Sequence, residues 1–289
     1  MSEMDLAFLD SLFHQYSDDD LVNYKRNETA FANEAYVITT KADKRYVVRL
    51  LKTQSPESAR VEATLQAQLK RAGLGTPQYL RLKNGEVVSN YGGRDFTIAE
   101  FMVGGHPKTI SPKLVANFGA TLARIHTSLH GMMIPTSDLQ WLRPEYAQRD
   151  FHAYSGSLKA RFAALLQKGQ ELFQSNLPKA VIHGDLIGNN IFAADDTITV
   201  VFDFETVDYN YRVLDVARTL LSLQSETPDG LNNTLNALIQ GYNAQSSNAL
   251  TQAETDSLHL AIQFTAAACG LWCATHGAEQ SAEKYANLV

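Results

Sequence analysis

Residues 181–205 read VIHGDLIGNNIFAADDTITVVFDFE. One histidine, four aspartates, two adjacent asparagines and one glutamate lie between apolar runs. Asp203 falls within TVVFDF, flanked by Val201, Phe202 and Phe204, so it is expected inside a buried strand. A carboxylate there is costly unless it is paired, hydrogen-bonded or bound to a metal. Asp185 and Asn190 fall in the loop after AVI, residues 180–182, a second expected strand. Two carboxylates and one amide oxygen brought together suit Mg²⁺, a hard cation that takes a few side-chain oxygens and completes its shell with phosphates. An aspartate next to such a site can also accept a hydroxyl proton. Alone, each of Asp185, Asn189 and Asn190 is an ordinary turn residue. The joint spacing His183-x-Asp185-x4-Asn190-x12-Asp203, with strands on both sides, is a much more specific pattern. Asp195 and Asp196 belong to the polar turn AADD, and Asn189 is assigned to the loop.

The surrounding elements divide the chain in two. AYVITT (35–40) and RYVVRLL (45–51) are β-branched and aromatic runs joined by a polar turn, which predicts a hairpin. Ser55 as cap, Pro56 at the first helical position and Gly73 as a stop predict a helix between them. Its apolar stripe is Val61, Leu65, Leu69 and Ala72, with Glu62 beside it. Alternation in RYVVRLL places Val47, Arg49 and Leu51 on one face, so Arg49 is a charge in an apolar run that needs a partner. Glu62 is the expected partner, the alternative being a strand arginine reaching solvent. EVVSNYGGRDFTIAEFM predicts two more strands around a Gly-Gly turn. After VGGHPKT (103–109) the pattern becomes helical, first with Leu114, Phe118, Leu122, Ile125 and Leu129 on one side and Gly131 as a stop. A β-rich lobe, residues 1–101, and a larger helical lobe, residues 102–289, are expected, and ligands commonly lie between such lobes.

HGDLIGNN and DFE resemble the H-x-D-x4-N catalytic loop and metal-binding motif of the aminoglycoside phosphotransferase and choline kinase superfamily, which shares the protein-kinase-like fold. The resemblance implies an α+β bilobal fold with a small β-rich N-lobe and a mainly helical C-lobe. It implies Asp185 as catalytic base, Asn190 and Asp203 as ligands of Mg²⁺ against the phosphates of ATP, and His183 as a brace of the loop. In YRVLDVARTL, Asp215 would tie back to the catalytic-loop backbone. Arg49, paired with Glu62, would reach the α- and β-phosphates. In TIAEFMVGG, backbone groups around Glu100 and Met102 would read adenine. The phosphate-covering loop, RNETAFANEAYVI, has no glycine; Asn27, Thr29 and Asn33 are its candidates. There is no G-x-x-x-x-G-K-[ST], which disfavours a P-loop kinase.

LPKAVIHGDLIGNNIF looks most like type II homoserine kinases, so a homoserine-like amino alcohol is the favoured acceptor. Choline, ethanolamine or an aminoglycoside is the alternative. Glu205 and Asp208 are candidates for an acceptor ammonium. Trp141, Tyr209, Tyr211 and Trp272 are candidates for an aromatic cage, ordinary lobe packing being the other reading. A pseudokinase-like binding protein is the alternative of another class, favoured by the glycine-free loop and by arginine in place of lysine at residue 49. A protein kinase is disfavoured because the expected Asp215 helix follows DFE within about ten residues, leaving no room for a peptide-docking segment.

Composition is that of a folded globular protein: 289 residues, 45% hydrophobic, 19% charged, net charge -6. An acidic chain is a poor candidate for coating nucleic acid or an anionic membrane. No run of about 18 apolar residues is evident, so no spanning helix is expected. MSEMDLAFLDSLFHQYSDDD is acidic and amphipathic, unlike a signal peptide, and a cytoplasmic location is expected. Cys269 and Cys273, four residues apart, read as core thiols on one helix face.

Overall fold

The computed structural model describes residues 4–27, 34–135, 140–224 and 230–287. Thr29 and Asn33 lie outside the described residues. The chain forms two compact units, Met1–Val103 and Gly104–Val289.

The first unit is a five-stranded antiparallel sheet in the order β1 (Leu21–Asn27), β2 (Glu34–Thr40), β3 (Arg45–Leu50), β5 (Arg94–Glu100), β4 (Val88–Tyr91). The predicted hairpin is β2–β3. Alternation sends Tyr36, Ile38, Val48, Leu50, Phe96 and Ile98 to one face. There they meet Leu9, Leu12 and Phe13 of α1 (Leu6–Phe13), capped by Asp5. Each of these three helix side chains is fully buried, a gain of about 2 kcal/mol apiece. The register aligns Ala35, Arg49 and Thr97 across three strands, and this row belongs to the opposite face. Helix α2 (Pro56–Arg71) begins at Ser55, whose side chain accepts from the Ser58 N–H. Its buried face differs from the expected stripe. Ala59, Glu62, Ala63, Leu65, Gln66 and Leu69 are buried, whereas Val61 is half-buried and Ala72 exposed. The face is turned by Glu62 and Gln66, two polar residues that find partners inside.

In the second unit, α3 (Pro112–Ser128) buries the predicted row Leu114, Phe118, Leu122 and Ile125. It packs closely on α7 (Leu231–Gln245). A Cβ built on Gly119 would lie 1.9 Å from the Leu238 carbonyl oxygen, and one on Gly241 1.8 Å from that of Ala116, so only glycines allow this backbone approach. Helices α4 (Pro144–Ala153) and α5 (Lys159–Gly169) precede the short strands. β6 (Lys179–Ile182) pairs with β9 (Asp208–Tyr211), and β7 (Ile191–Ala194) with β8 (Thr197–Val201). The β7–β8 turn is made by Asp195 and Asp196, both at positive φ, as suits aspartates in a two-residue hairpin loop. α6 (Arg212–Leu223) is buried along its whole length, followed by α8 (Gln252–Asp256), α9 (Leu258–Thr275) and α10 (Glu279–Asn287).

Contrary to the sequence expectation, α9 is long and apolar enough to cross a membrane, with a mean hydropathy of 1.3. It is 67% buried and packs on α4, α5, α6 and α10. A helix surrounded by protein is apolar all round for that reason.

Candidate active site

The loop after β6 is held from below by one carboxylate. Asp215, on the first turn of α6, is completely buried. Its Oδ2 accepts the His183 N–H at 2.8 Å and its Oδ1 the Gly184 N–H at 2.8 Å. His126 Nε2 lies 2.9 Å from Oδ2. Burial alone would raise the pKa of such an acid, but His126 and the His183 backbone outweigh it and hold Asp215 below the ordinary carboxylate value. Gly184 has φ +80, and a Cβ there would sit 2.7 Å from the Thr206 carbonyl oxygen. The Thr206 hydroxyl donates to the His183 carbonyl at 2.9 Å, and that of Thr219 to the Leu186 carbonyl at 2.9 Å.

His183 couples the loop to the end of β8. Its Nδ1 accepts the Asp185 N–H at 3.2 Å, which leaves the proton on Nε2 for the Phe202 carbonyl at 2.9 Å. The Phe202 N–H in turn donates to the Asn190 carbonyl at 2.9 Å. These bonds bring Asp185, Asn190 and the neighbourhood of Asp203 together. Asp203 is not in a strand, as its apolar flanks had implied. β8 ends at Val201, and Asp203 has φ 60. A left-handed residue ends the ladder at once. Such a conformation costs an ordinary L-residue about 1–2 kcal/mol and is found where surrounding structure enforces it.

Asn190 Nδ2 donates to Asp185 twice, to the carbonyl at 2.9 Å and to Oδ2 at 3.0 Å. That orientation leaves Asn190 Oδ1 as its remaining polar atom. With the Asp203 carboxylate it makes a set of hard oxygen donors, a fit for Mg²⁺ by ligand chemistry. The other oxygen of Asp185, Oδ1, is 2.6 Å from Nη2 of Arg218, a close ion pair rather than an aligned hydrogen bond. The Asp185 side chain is 20% exposed.

Arg218 escaped the sequence reading. Its signal was a charge in an apolar helix one turn beyond Asp215, a spacing that puts both on the same face. Burial works against its charge, but Asp185 foremost and then Cys269 and Tyr285 raise its proton affinity above the ordinary arginine value. The guanidinium lies 5.1 Å from the Trp141 ring and 6.0 Å from that of Tyr285. Behind the loop, His126 Nδ1 contacts the Tyr242 hydroxyl at 2.8 Å. Arg212 pairs with Glu254 at 2.9 and 2.5 Å, both buried. Residues 230–287, silent as sequence, thus buttress the loop through Tyr242 on α7 and Glu254 on α8.

The acceptor-side expectations change. Asp208, a candidate for an ammonium, is buried and held by Arg143 through Nε at 2.9 Å and Nη2 at 2.6 Å. Its carboxylate is already neutralised by the protein. Glu205 lies half-buried in the turn after Asp203. The four aromatic residues do not make one cage. Tyr209 is 54% exposed on β9, and Tyr211 is buried with its hydroxyl on the Ser175 carbonyl. Trp141 and Trp272 adjoin, 6.3 Å apart, but the cation near Trp141 is Arg218 itself.

In the first unit, Arg49 Nη2 donates to Glu62 Oε2 at 2.6 Å and to the Tyr79 hydroxyl. Gln54 and Gln66 donate to the same carboxylate at 2.9 and 3.2 Å. Burial would raise Glu62, but Arg49 and these donors hold it below the usual value. The Glu100 N–H is taken by the Gln78 carbonyl, and its side chain pairs with Lys70 at 3.2 Å. Met102 follows the end of β5, and among the described residues its backbone makes no hydrogen bond.

A buried acid thus pins the H-x-D loop, with an asparagine bonded to its aspartate. The sequence profile of the phosphotransferase enzyme family matches residues 23–248. The chain belongs to that family and is an enzyme of its class. It is 28% identical over 258 residues to a homoserine kinase of Nitrobacter hamburgensis, covering 85% of this chain and 76% of the relative. Among solved structures it is similar to amicoumacin kinase hAmiN in complex with AMP-PNP, Ca²⁺ and its antibiotic, with a TM-score of 0.73 and 15% identity over 91% of this chain and 88% of that one. It is also similar to an aminoglycoside phosphotransferase from Alicyclobacillus acidocaldarius, with a TM-score of 0.71 and 14% identity over 100% and 92% of the two chains. At such identities these likenesses establish the shared protein-kinase-like fold.

Proposed function

We propose that this protein transfers the γ-phosphate of ATP to a hydroxyl of a small molecule, with a homoserine-like compound as acceptor. The observation that carries the reading is the loop His183–Asn190, pinned by buried Asp215 and coupled through Phe202 to Asp203. The similarity to homoserine kinases supports the acceptor class.

Asp185 orients the acceptor hydroxyl and takes its proton. Asn190 and Asp203 hold Mg²⁺, which when bound neutralises the charge of the phosphates. Arg49, kept in place by Glu62, contacts the α- and β-phosphates. The backbone around Glu100 and Met102 receives the adenine. His183 and Asp215 keep the Asp185 backbone fixed, so little reorganisation remains at the moment of reaction. Glu205 stays a candidate for the acceptor's ammonium. We assign the activity to the cytoplasm.

Asp185→Ala should lower kcat by at least about 10²–10⁴-fold, the usual contribution of a general base. Binding of Mg·ATP, read by titration calorimetry, should persist in that variant and weaken in Asp203→Ala. Near wild-type kcat in Asp185→Ala would defeat the assignment. ATP consumption should be stimulated by homoserine in a panel that includes choline, ethanolamine, 3-aminopropan-1-ol and an aminoglycoside. No stimulation by any of them, with no Mg·ATP binding, would mark a binding protein instead of an enzyme.

A further inference from the structure

Arg218 adjoins Asp185 and has donors left over. Its side chain is 7% exposed and its Nη2 lies 2.6 Å from Asp185, the residue that faces the acceptor hydroxyl. Nη1 donates to the Tyr285 hydroxyl at 3.2 Å, whereas Nε has no hydrogen-bond partner among the described residues. The buried Nε1 of Trp141, whose ring adjoins the guanidinium, also lacks an acceptor among them. Two N–H donors without acceptors, one of them charged, are an anomaly in a protein interior, where such groups are nearly always matched. Asp208, Glu62, Asp215 and Glu254 cannot match them, since each is committed to other partners. Nε and Nη2 form one edge of the guanidinium fork. Nη2 has two N–H groups, so the edge can meet an incoming carboxylate with two parallel bonds even while Asp185 is near.

We infer that Arg218 is the specificity residue of the acceptor site and selects a hydroxyl compound that also carries a carboxylate. This rests on the kinase reading above and assigns to one residue the recognition of the carboxylate that a homoserine-like acceptor carries. A bare ammonium acceptor would meet a fixed buried cation next to the reacting group, with the neighbouring Trp141 ring already occupied by that cation. A carboxylate meets unsatisfied donors instead. A site built to bond a polar group discriminates strongly against the analogue that lacks it, because its own groups are then left unpaired.

The test is a matched pair of acceptors, L-homoserine and 3-aminopropan-1-ol, which differ by the carboxylate alone. The wild type is expected to favour homoserine in kcat/KM by about 100-fold or more. Arg218→Gln and Arg218→Lys should each lower kcat/KM for homoserine by about 10- to 100-fold, as expected for loss of charged hydrogen bonds. The ratio between the two acceptors should fall toward one in Arg218→Gln, while the KM for ATP stays near its wild-type value. Arg218→Lys keeps the charge and loses the fork, so it guards against a variant that merely fails to fold. A purely structural role would lower both acceptors together and leave the ratio intact, and that result overturns the proposal. So does a wild type that phosphorylates both acceptors equally. If no acceptor stimulates ATP consumption, the kinase reading itself fails and this proposal falls with it, a pattern distinct from carboxylate-indifferent turnover.

Discussion

Asp215→Asn is the sharpest perturbation of the loop, because it changes charge and donor pattern but almost no volume. Three N–H groups converge on two oxygens, at 2.8, 2.8 and 2.9 Å. An asparagine offers one oxygen. If the amide nitrogen takes the Oδ1 position, the Gly184 N–H is orphaned; if it takes Oδ2, the His183 N–H is. At least one buried donor therefore faces another donor. A lost hydrogen bond to a charged group is worth about 1.5–3 kcal/mol, and the orphaned partner costs about 1–3 kcal/mol more. The expected destabilisation is about 3–5 kcal/mol, in the range for breaking a buried ion pair. At roughly 2–4 °C per kcal/mol for a unit of this size, Tm should fall by about 6–20 °C in a calorimetric scan at pH 7. The pH dependence gives a second check. Asp215 is held below its ordinary value, so its contribution is complete above the unfolded pKa of about 3.9 and is lost as pH falls through the lower folded one. The gap between wild type and Asp215→Asn should therefore narrow only below about pH 4. A variant melting within 2 °C of wild type at pH 7 would refute the claim that this carboxylate holds the loop.

Gly184→Ala forces a Cβ to 2.7 Å from the Thr206 carbonyl at a positive φ, and should lower kcat by at least about tenfold in a steady-state assay with a stability loss of about 1–3 kcal/mol. Glu62→Gln should raise the KM for ATP several-fold by freeing Arg49. Its stability deficit in urea melts should be present at pH 7 and shrink below about pH 4.3, since Glu62 titrates below its ordinary value. Gly241→Ala should destabilise by about 3 kcal/mol, measured by thermal melting, because α3 and α7 must separate. Burial pushes both thiols up, Cys269 strongly, so Ellman's reagent at pH 8 should titrate neither cysteine in the native protein and both after denaturation.

The candidate residues were legible where chemistry and spacing coincide. His183, Asp185, Asn190 and Asp203 stand out because polar residues beside strand runs need a reason. The β2–β3 hairpin and the faces of α2 and α3 follow from local periodicity, except where Glu62 and Gln66 replace Val61 and Ala72 on the buried side of α2. That substitution depends on Arg49, a strand away, and no local pattern contains it. The same limit explains Asp208. Its partner Arg143 is 65 residues earlier, so an acid that looked available for substrate is already neutralised. Asp203 was misread as a strand residue because hydrophobic flanks report burial but not φ. β1 was missed because LVNYKRN is largely exposed, as an edge strand can be. Arg218 and the His126–Tyr242 contact needed the folded chain to bring residues 33 and 116 positions apart together.

The anchoring of the loop on Asp215 also bears on how the enzyme fails. The amide protons of His183 and Gly184 are shielded by a carboxylate with no exposed surface. They can exchange with solvent only when α6 leaves the strands beneath it, an opening near the cost of unfolding the whole unit. The loop proposed to carry the chemistry should thus be among the slowest-exchanging parts of the molecule. Heat should therefore remove activity and tertiary structure in one step, with no inactive but still folded form accumulating before the melt.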